Sequence, residues 1–174
     1  MGISVIGMYD YLDERYKVFC ADNFDVFAHR LANADIVVDF NGTNFDLNLL
    51  TASGIPQLQD QSFGELELGH HYDILRQIWI AEGHDPDNFD KDTHSNYGLD
   101  ACAKANFQIA KTGHGAKTPV DWQQGKIGRV IDYCLNDVAI TKRLFDRIMQ
   151  DGFIINPKYP DRIIKMPSYL PTCF

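Results

Sequence analysis

Residues 34–50 read ADIVVDFNGTNFDLNLL, and this stretch decides the fold class. The β-branched run Ile36-Val37-Val38 is short, apolar and uninterrupted, as the buried strands of parallel or mixed sheets are. It ends in the turn sequence Asp39-Phe40-Asn41-Gly42. A helical segment through Phe45, Leu47, Leu49 and Leu50 follows and stops near Gly54-Ile55-Pro56. A turn that follows such a strand lies at the carboxyl edge of the sheet, where α/β folds build their sites. Asp46 comes just past that turn, so we expect its carboxylate at the edge, as a metal ligand. The competing reading is a first-turn acid that only complements the helix dipole.

Outward from this unit, residues 2–11 (GISVIGMYDY) predict a strand, and residues 16–20 (YKVFC) its hairpin partner. Asp22 or Asn23 can cap a helix running to about residue 33, with Phe24, Val26, Phe27 and Leu31 available to the core. Residues 57–69 read as a loop. Residues 72–80 (YDILRQIWI) read as a strand passing into a helix that ends near Gly83. The polar run at 84–96 (HDPDNFDKDTHSN) predicts a surface loop or insertion. A helix is expected over 97–110, and a loop over 111–119. Asp121 and Gln124 have capping-box spacing ahead of a long helix over 127–149, with Gly152 at its end. The expected fold is α/β: a mixed sheet flanked by helices over residues 1–152. A carboxyl-terminal extension, 153–174, with four prolines, would wrap the surface or add an edge strand.

Composition bounds the function. The 174 residues are 45% hydrophobic and 12% aromatic, enough for one well-cored domain. No apolar run approaches the roughly 20 residues of a membrane span, and no signal-peptide pattern opens the chain. A soluble, cytoplasmic setting with no membrane partner is therefore expected. Cys20, Cys102, Cys134 and Cys173 lack Cys-x-x-Cys spacing, which argues for reduced thiols over zinc or a disulfide framework. The histidines lack metal-ligand spacing too. Residues 1–99 hold 5 Lys and Arg against 17 Asp and Glu, net −12. Residues 100–174 hold 11 against 7, net +4. A globally acidic chain is a poor non-specific duplex binder, while its basic part leaves room for a local phosphate-binding face.

Two motifs carry the chemistry. Asn41-x-x-x-Phe45-Asp46 follows the buried strand. Tyr133-x-x-x-Asp137 lies in the long helix, where i,i+4 spacing puts phenol and carboxylate on one side. Val130, Thr141 and Leu144 flank that side, so Asp137 should meet a cation or donor rather than open water. Asp73, in a short strand-like segment, could lie near the same edge. Taken singly, each motif also reads as ordinary helix-surface chemistry.

Together, Asn41-Gly42-Thr43-Asn44-Phe45-Asp46 and Tyr133-Cys134-Leu135-Asn136-Asp137 resemble the second and third motifs of the DEDDy-type 3′–5′ exonucleases of the ribonuclease-H-like superfamily. Family B polymerase proofreading domains belong to this group. The resemblance spans residues 2 to about 150 and implies two-metal hydrolysis of phosphodiester bonds, with two Mg²⁺ or Mn²⁺ ions about 4 Å apart. It implies Asp46 and Asp137 as metal ligands and Tyr133 as the group orienting the attacking water. Asn41 would position the motif turn or the terminal nucleotide of a single-stranded 3′ end, Phe45 would bind that substrate, and Lys111, Lys117 and Lys104 would contact phosphates.

The family's first motif, Asp-x-Glu on the central strand, does not occur in these 174 residues. Glu65-Leu66-Glu67 has related spacing but falls in a loop, and Asp10 and Asp13 fall at the first hairpin turn. The expectation is therefore a sheet lacking its usual first strand, with exposed edges that favour pairing with a second copy or another chain. Three readings stay open: an exonuclease, a catalytically silent module that binds nucleic acid or protein, and a general α/β domain whose carboxylates are only structural.

Overall fold

The computed structural model describes residues 2–53, 71–109 and 117–168. Strand β1 (Ile6–Asp10) pairs antiparallel with β2 (Arg15–Phe19), Ile6 opposite Phe19 and Asp10 opposite Arg15. Helix α1 (Phe24–Ala32) follows. Asn23 takes its N-cap position, but the Asn23 side chain accepts the Cys20 N–H instead of capping the helix. The central unit is β3 (Val37–Asp39), a turn, and α2 (Asp46–Ala52). Strand β4 (His71–Asp73) pairs parallel with β3, placing Asp39 opposite Asp73. It runs directly into α3 (Ile74–Ala81). Helices α4 (Lys91–His94), α5 (Leu99–Phe107), α6 (Thr118–Gln123) and α7 (Ile127–Asp151) come next. The antiparallel pair β5 (Phe153–Ile155) and β6 (Ile163–Lys165) follows them.

The α/β class and the mixture of parallel and antiparallel pairing are as the sequence predicts. Burial sorts the elements into layers. Phe19, Phe24, Phe27, Leu47 and Leu50 form one apolar cluster with Ile6 and Met8, so α1 and α2 cover one face of the first hairpin. A larger cluster joins Tyr72, Ile74 and Ile78 to Leu144, Ile148, Ile154 and Ile164, with Val38 and Phe40 against it. Helix α7 spans both regions, touching β1, β2, β3 and β5. Its face is fixed by sequence: Ile140, Leu144 and Ile148, at i, i+4 and i+8, are almost fully buried.

The helices are continuous across the domain, but the strand layer is not. Among the described residues β1 pairs with β2 alone and β3 with β4 alone, in separate two-stranded ladders. The division falls between β1 and β3, beneath α7. Both strands are covered by helices, so the edges left unpaired among the described residues belong to what would ordinarily be interior strands.

Three local expectations are revised. Residues 153–165 form a hairpin of their own, and Ile154, Ile164 and Met166 enter the main core rather than an edge. Asn106 ties it to α5, donating to the Ile155 carbonyl (3.1 Å) and accepting its N–H (2.8 Å). Asp121 does not open a capping box; Pro119 starts a separate helix earlier, and Asp121 lies inside α6. The 84–96 stretch is built around a buried histidine, described below. The loops expected at 57–69 and over most of 111–119 lie outside the described residues.

Contact between β1 and α7 depends on Gly7, where a Cβ would meet Cys134 Sγ at 2.8 Å and Val138 Cγ2 at 3.2 Å. We therefore expect Gly7→Ala to destabilise the domain by about 1–3 kcal/mol. At least half of this should return in the Gly7→Ala/Cys134→Ala double variant, measured by urea unfolding. Additive losses would show that the contact is absent.

Candidate active site

The site grows out of the turn between β3 and α2. Asn41 adopts a left-handed backbone, φ 69°, which asparagine tolerates better than most residues. The Asn41 and Gly42 carbonyls both accept the Phe45 N–H, and the Gly42 carbonyl also accepts the Leu47 N–H at 2.9 Å, which starts α2 at Asp46. Gly42 has no room for a side chain: a Cβ would fall 1.7 Å from Asp39 Oδ2.

Asp73 locks this turn to the neighbouring strand. Its carboxylate, 2% exposed, caps α3 by accepting the Leu75 and Arg76 N–H groups at 3.0 and 3.2 Å. It also reaches across the parallel pair to accept the Asn41 N–H at 2.9 Å and the Thr43 N–H at 3.2 Å. Four backbone donors thus satisfy one buried charge. Asp39 is similarly engaged, by His71 Nε2 at 2.7 Å and the Gly42 N–H at 3.2 Å. Burial raises the Asp39 carboxyl pKa, with His71 opposing it. Burial disfavours the His71 cation, but the Asp39 hydrogen bond outweighs this and leaves that pKa raised.

Asp46 lies in the field of these acids. Its carboxyl is pushed up to about 6, first by desolvation among the surrounding chain and then by the charges of Asp39, Asp73 and Asp137. Cys134, one turn from Asp137 on α7, is raised by burial and then by the charges of Asp137 and Asp46. Asp46 on α2 and Asp137 on α7 thus lie within electrostatic reach of each other and of Cys134, whose Sγ lies against Gly7 of β1. Tyr133 and Asp137 are half-buried on α7, one turn apart. Phe45 is 58% exposed at the N-cap position of α2. Lys104 on α5 and Lys117 ahead of α6 are exposed, and Lys111 lies outside the described residues. Asp10 is a structural ion-pair acceptor, bound by Lys17 at 2.8 Å and Arg30 at 2.5 Å.

The sequence singles out Asp46, Asp137 and Asp73 but misses Asp39 and His71. Their pairing depends on the parallel register of β3 and β4, which the intervening residues do not encode locally.

A family model described as the RNase H superfamily matches residues 2–149. The chain belongs to the RNase H superfamily. No curated protein and no solved structure matches it. Membership makes the domain a nuclease-like or nucleic-acid-binding module. Among the described residues, no helix of this superfamily member is long and apolar enough to cross a membrane.

Nucleases of the RNase H superfamily generally use divalent metals. The residues at the rim fit a hard cation in part. Among the described residues no group of three His, Cys, Asp or Glu side chains is spaced to hold a metal ion. Asp39 and Asp73 are occupied by His71 and by backbone amides. Asp46 and Asp137 are the oxygen donors whose mutual repulsion a cation would relieve. Two carboxylates, with water and a substrate phosphate, are an ordinary Mg²⁺ donor set; they fall short of a two-ion centre.

In metal-free protein, ionised Asp46 should cost the folded state stability. Its folded pKa lies above the unfolded 3.8, so the penalty is absent below pH 3.8, grows through about 6 and is complete above it. Asp46→Asn should match wild type near pH 4 and exceed it by roughly 1 kcal/mol at pH 8, since the residue's open side screens the charge. Urea unfolding in EDTA at the two pH values measures this, and a destabilised variant at pH 8 would contradict it.

Proposed function

We propose that this domain is a divalent-metal-dependent 3′–5′ exonuclease module of the DEDDy type, acting on single-stranded ends of DNA or RNA. The observation that carries this reading is the shared field of Asp46 and Asp137, with Tyr133 one helical turn from Asp137. Asp46 and Asp137 would hold Mg²⁺ or Mn²⁺, which when bound activates water and stabilises the leaving oxygen. The Tyr133 hydroxyl orients the attacking water. Asn41, held by the Asp73 clamp, and the exposed Phe45 ring position the terminal nucleotide. Exposed Lys117, with Lys111 and Lys104, meets the phosphate backbone.

Among the described residues, a two-ion site needs more carboxylates than this rim provides, and the strand layer is interrupted between β1 and β3. In our reading the two facts have one remedy. A strand from a second copy or another chain pairs with the open edges and completes the sheet. The scarcity of ligands also favours a second reading, a catalytically silent module that binds nucleic acid or protein.

A 3′-labelled single strand incubated with Mn²⁺ over a range of chain concentrations separates the two. We expect one-nucleotide steps from the 3′ end, increasing more steeply than linearly with concentration as chains associate. Asp46→Asn and Asp137→Asn should lose at least about 100-fold, and Tyr133→Phe about 10-fold. Strand binding without cleavage at any concentration would establish the silent module instead.

A further inference from the structure

A cleft of about 480 Å³ is lined in part by the motif turn, with neither Asp46 nor Asp137 in its wall. Asn41 and Asn44 line one part of it, and Trp79, Phe89, Asn96 and Tyr97 line the rest. Its volume suits a small organic ligand. We propose that this cleft is a nucleobase-binding subsite in which Phe89 is the stacking platform and the asparagine amides meet the base edge.

The polar 84–96 stretch forms a fixed wall for this cleft. His94 is 4% exposed, with Nε2 2.9 Å from the Asp85 carbonyl and Nδ1 3.1 Å from the Asp90 carbonyl. The Asp90 side chain caps α4. The Trp79 indole N–H donates to the His94 carbonyl at 3.2 Å, and Lys158 donates to the Thr93 carbonyl at 2.5 Å. On this support stands Phe89, 63% exposed, its ring 5.5 Å from His94 and 6.1 Å from Trp79. An apolar ring this exposed, braced by two other rings, has the character of the aromatic platforms on which unpaired bases stack. Asparagine amides carry both donors and acceptors and so can read a base edge. Asp87 is the acid lining the cleft, and Arg76 neutralises it through two hydrogen bonds, at 2.7 and 3.1 Å. Asn41 belongs both to this cleft and to the Asp73 clamp. A base seated here would therefore hold its sugar and phosphate beside the turn that carries Asp46.

The inference rests on the nucleic-acid reading above, and its test is separable from hydrolysis. The chain has two tryptophans, so Trp122→Phe leaves Trp79 as the sole reporter. In EDTA, adenosine 5′-monophosphate should quench Trp79 fluorescence saturably, and ribose 5-phosphate, which lacks a base, should not. Phe89→Ala should raise the dissociation constant about 5- to 50-fold, while Phe89→Tyr keeps it within about 2-fold. No quenching by the nucleotide, equal quenching by ribose 5-phosphate, or an unchanged constant in Phe89→Ala would overturn the proposal. A labelled strand that is trimmed while Trp79 ignores the nucleotide sinks the cleft and spares the nuclease. Base-dependent quenching with an untrimmed strand does the reverse.

Discussion

One buried carboxylate holds the functional end of this domain together. Asp73 draws in four backbone N–H groups, two from the helix it caps and two from the turn on the neighbouring strand. Because the charge is almost wholly out of water, losing any donor leaves part of it unsatisfied, so the β3 turn and the start of α3 cannot move independently. The left-handed Asn41 and the side-chain-free Gly42 are what let the turn come close enough. The helix that begins at Asp46 inherits its position from that contact, and so does the cleft that shares Asn41.

Negative charge is concentrated where this constraint ends. Asp39 and Asp73 spend their charges on His71 and on the backbone. Among the described residues Asp46 has neither compensation, and its carboxyl pKa is raised first by desolvation and then by the charges of Asp39, Asp73 and Asp137. Sites that perturb acids in this way without resolving the strain internally are candidates for cations or proton transfer. The divided strand layer belongs to the same account. The long helix α7 carries Asp137 and touches both β1 and β3, which sit in separate ladders among the described residues.

Much of this was legible in the sequence because local rules dominate there. The run Ile36-Val37-Val38, the turn after it and the 3.6-residue spacing of Ile140, Leu144 and Ile148 each specify an element without reference to the rest of the chain. The paired motifs around Asp46 and Asp137 pointed to the superfamily to which the chain belongs. Non-local features were not legible. Asp39 meets His71 only through the β3–β4 register. The 84–96 stretch reads as loop because its order comes from one histidine folded inward under Trp79, and a single buried His has no periodicity to betray it. The β5–β6 hairpin was obscured by four prolines, although buried Ile154 and Ile164 alternate with less buried neighbours as a half-buried ladder should. The interruption between β1 and β3, by contrast, was legible, because the absent Asp-x-Glu motif pointed to an absent strand, and among the described residues β1 and β3 sit in separate ladders.

The most direct test is a carbon-detected NMR titration of the Asp46 carboxyl in the metal-free protein, repeated in Asp137→Asn. The account predicts a midpoint near 6 in the native chain, set mainly by desolvation, and a downward shift when the Asp137 charge is removed. An Asp46 that titrates near 4, or that is indifferent to Asp137, would mean the two acids do not share a site.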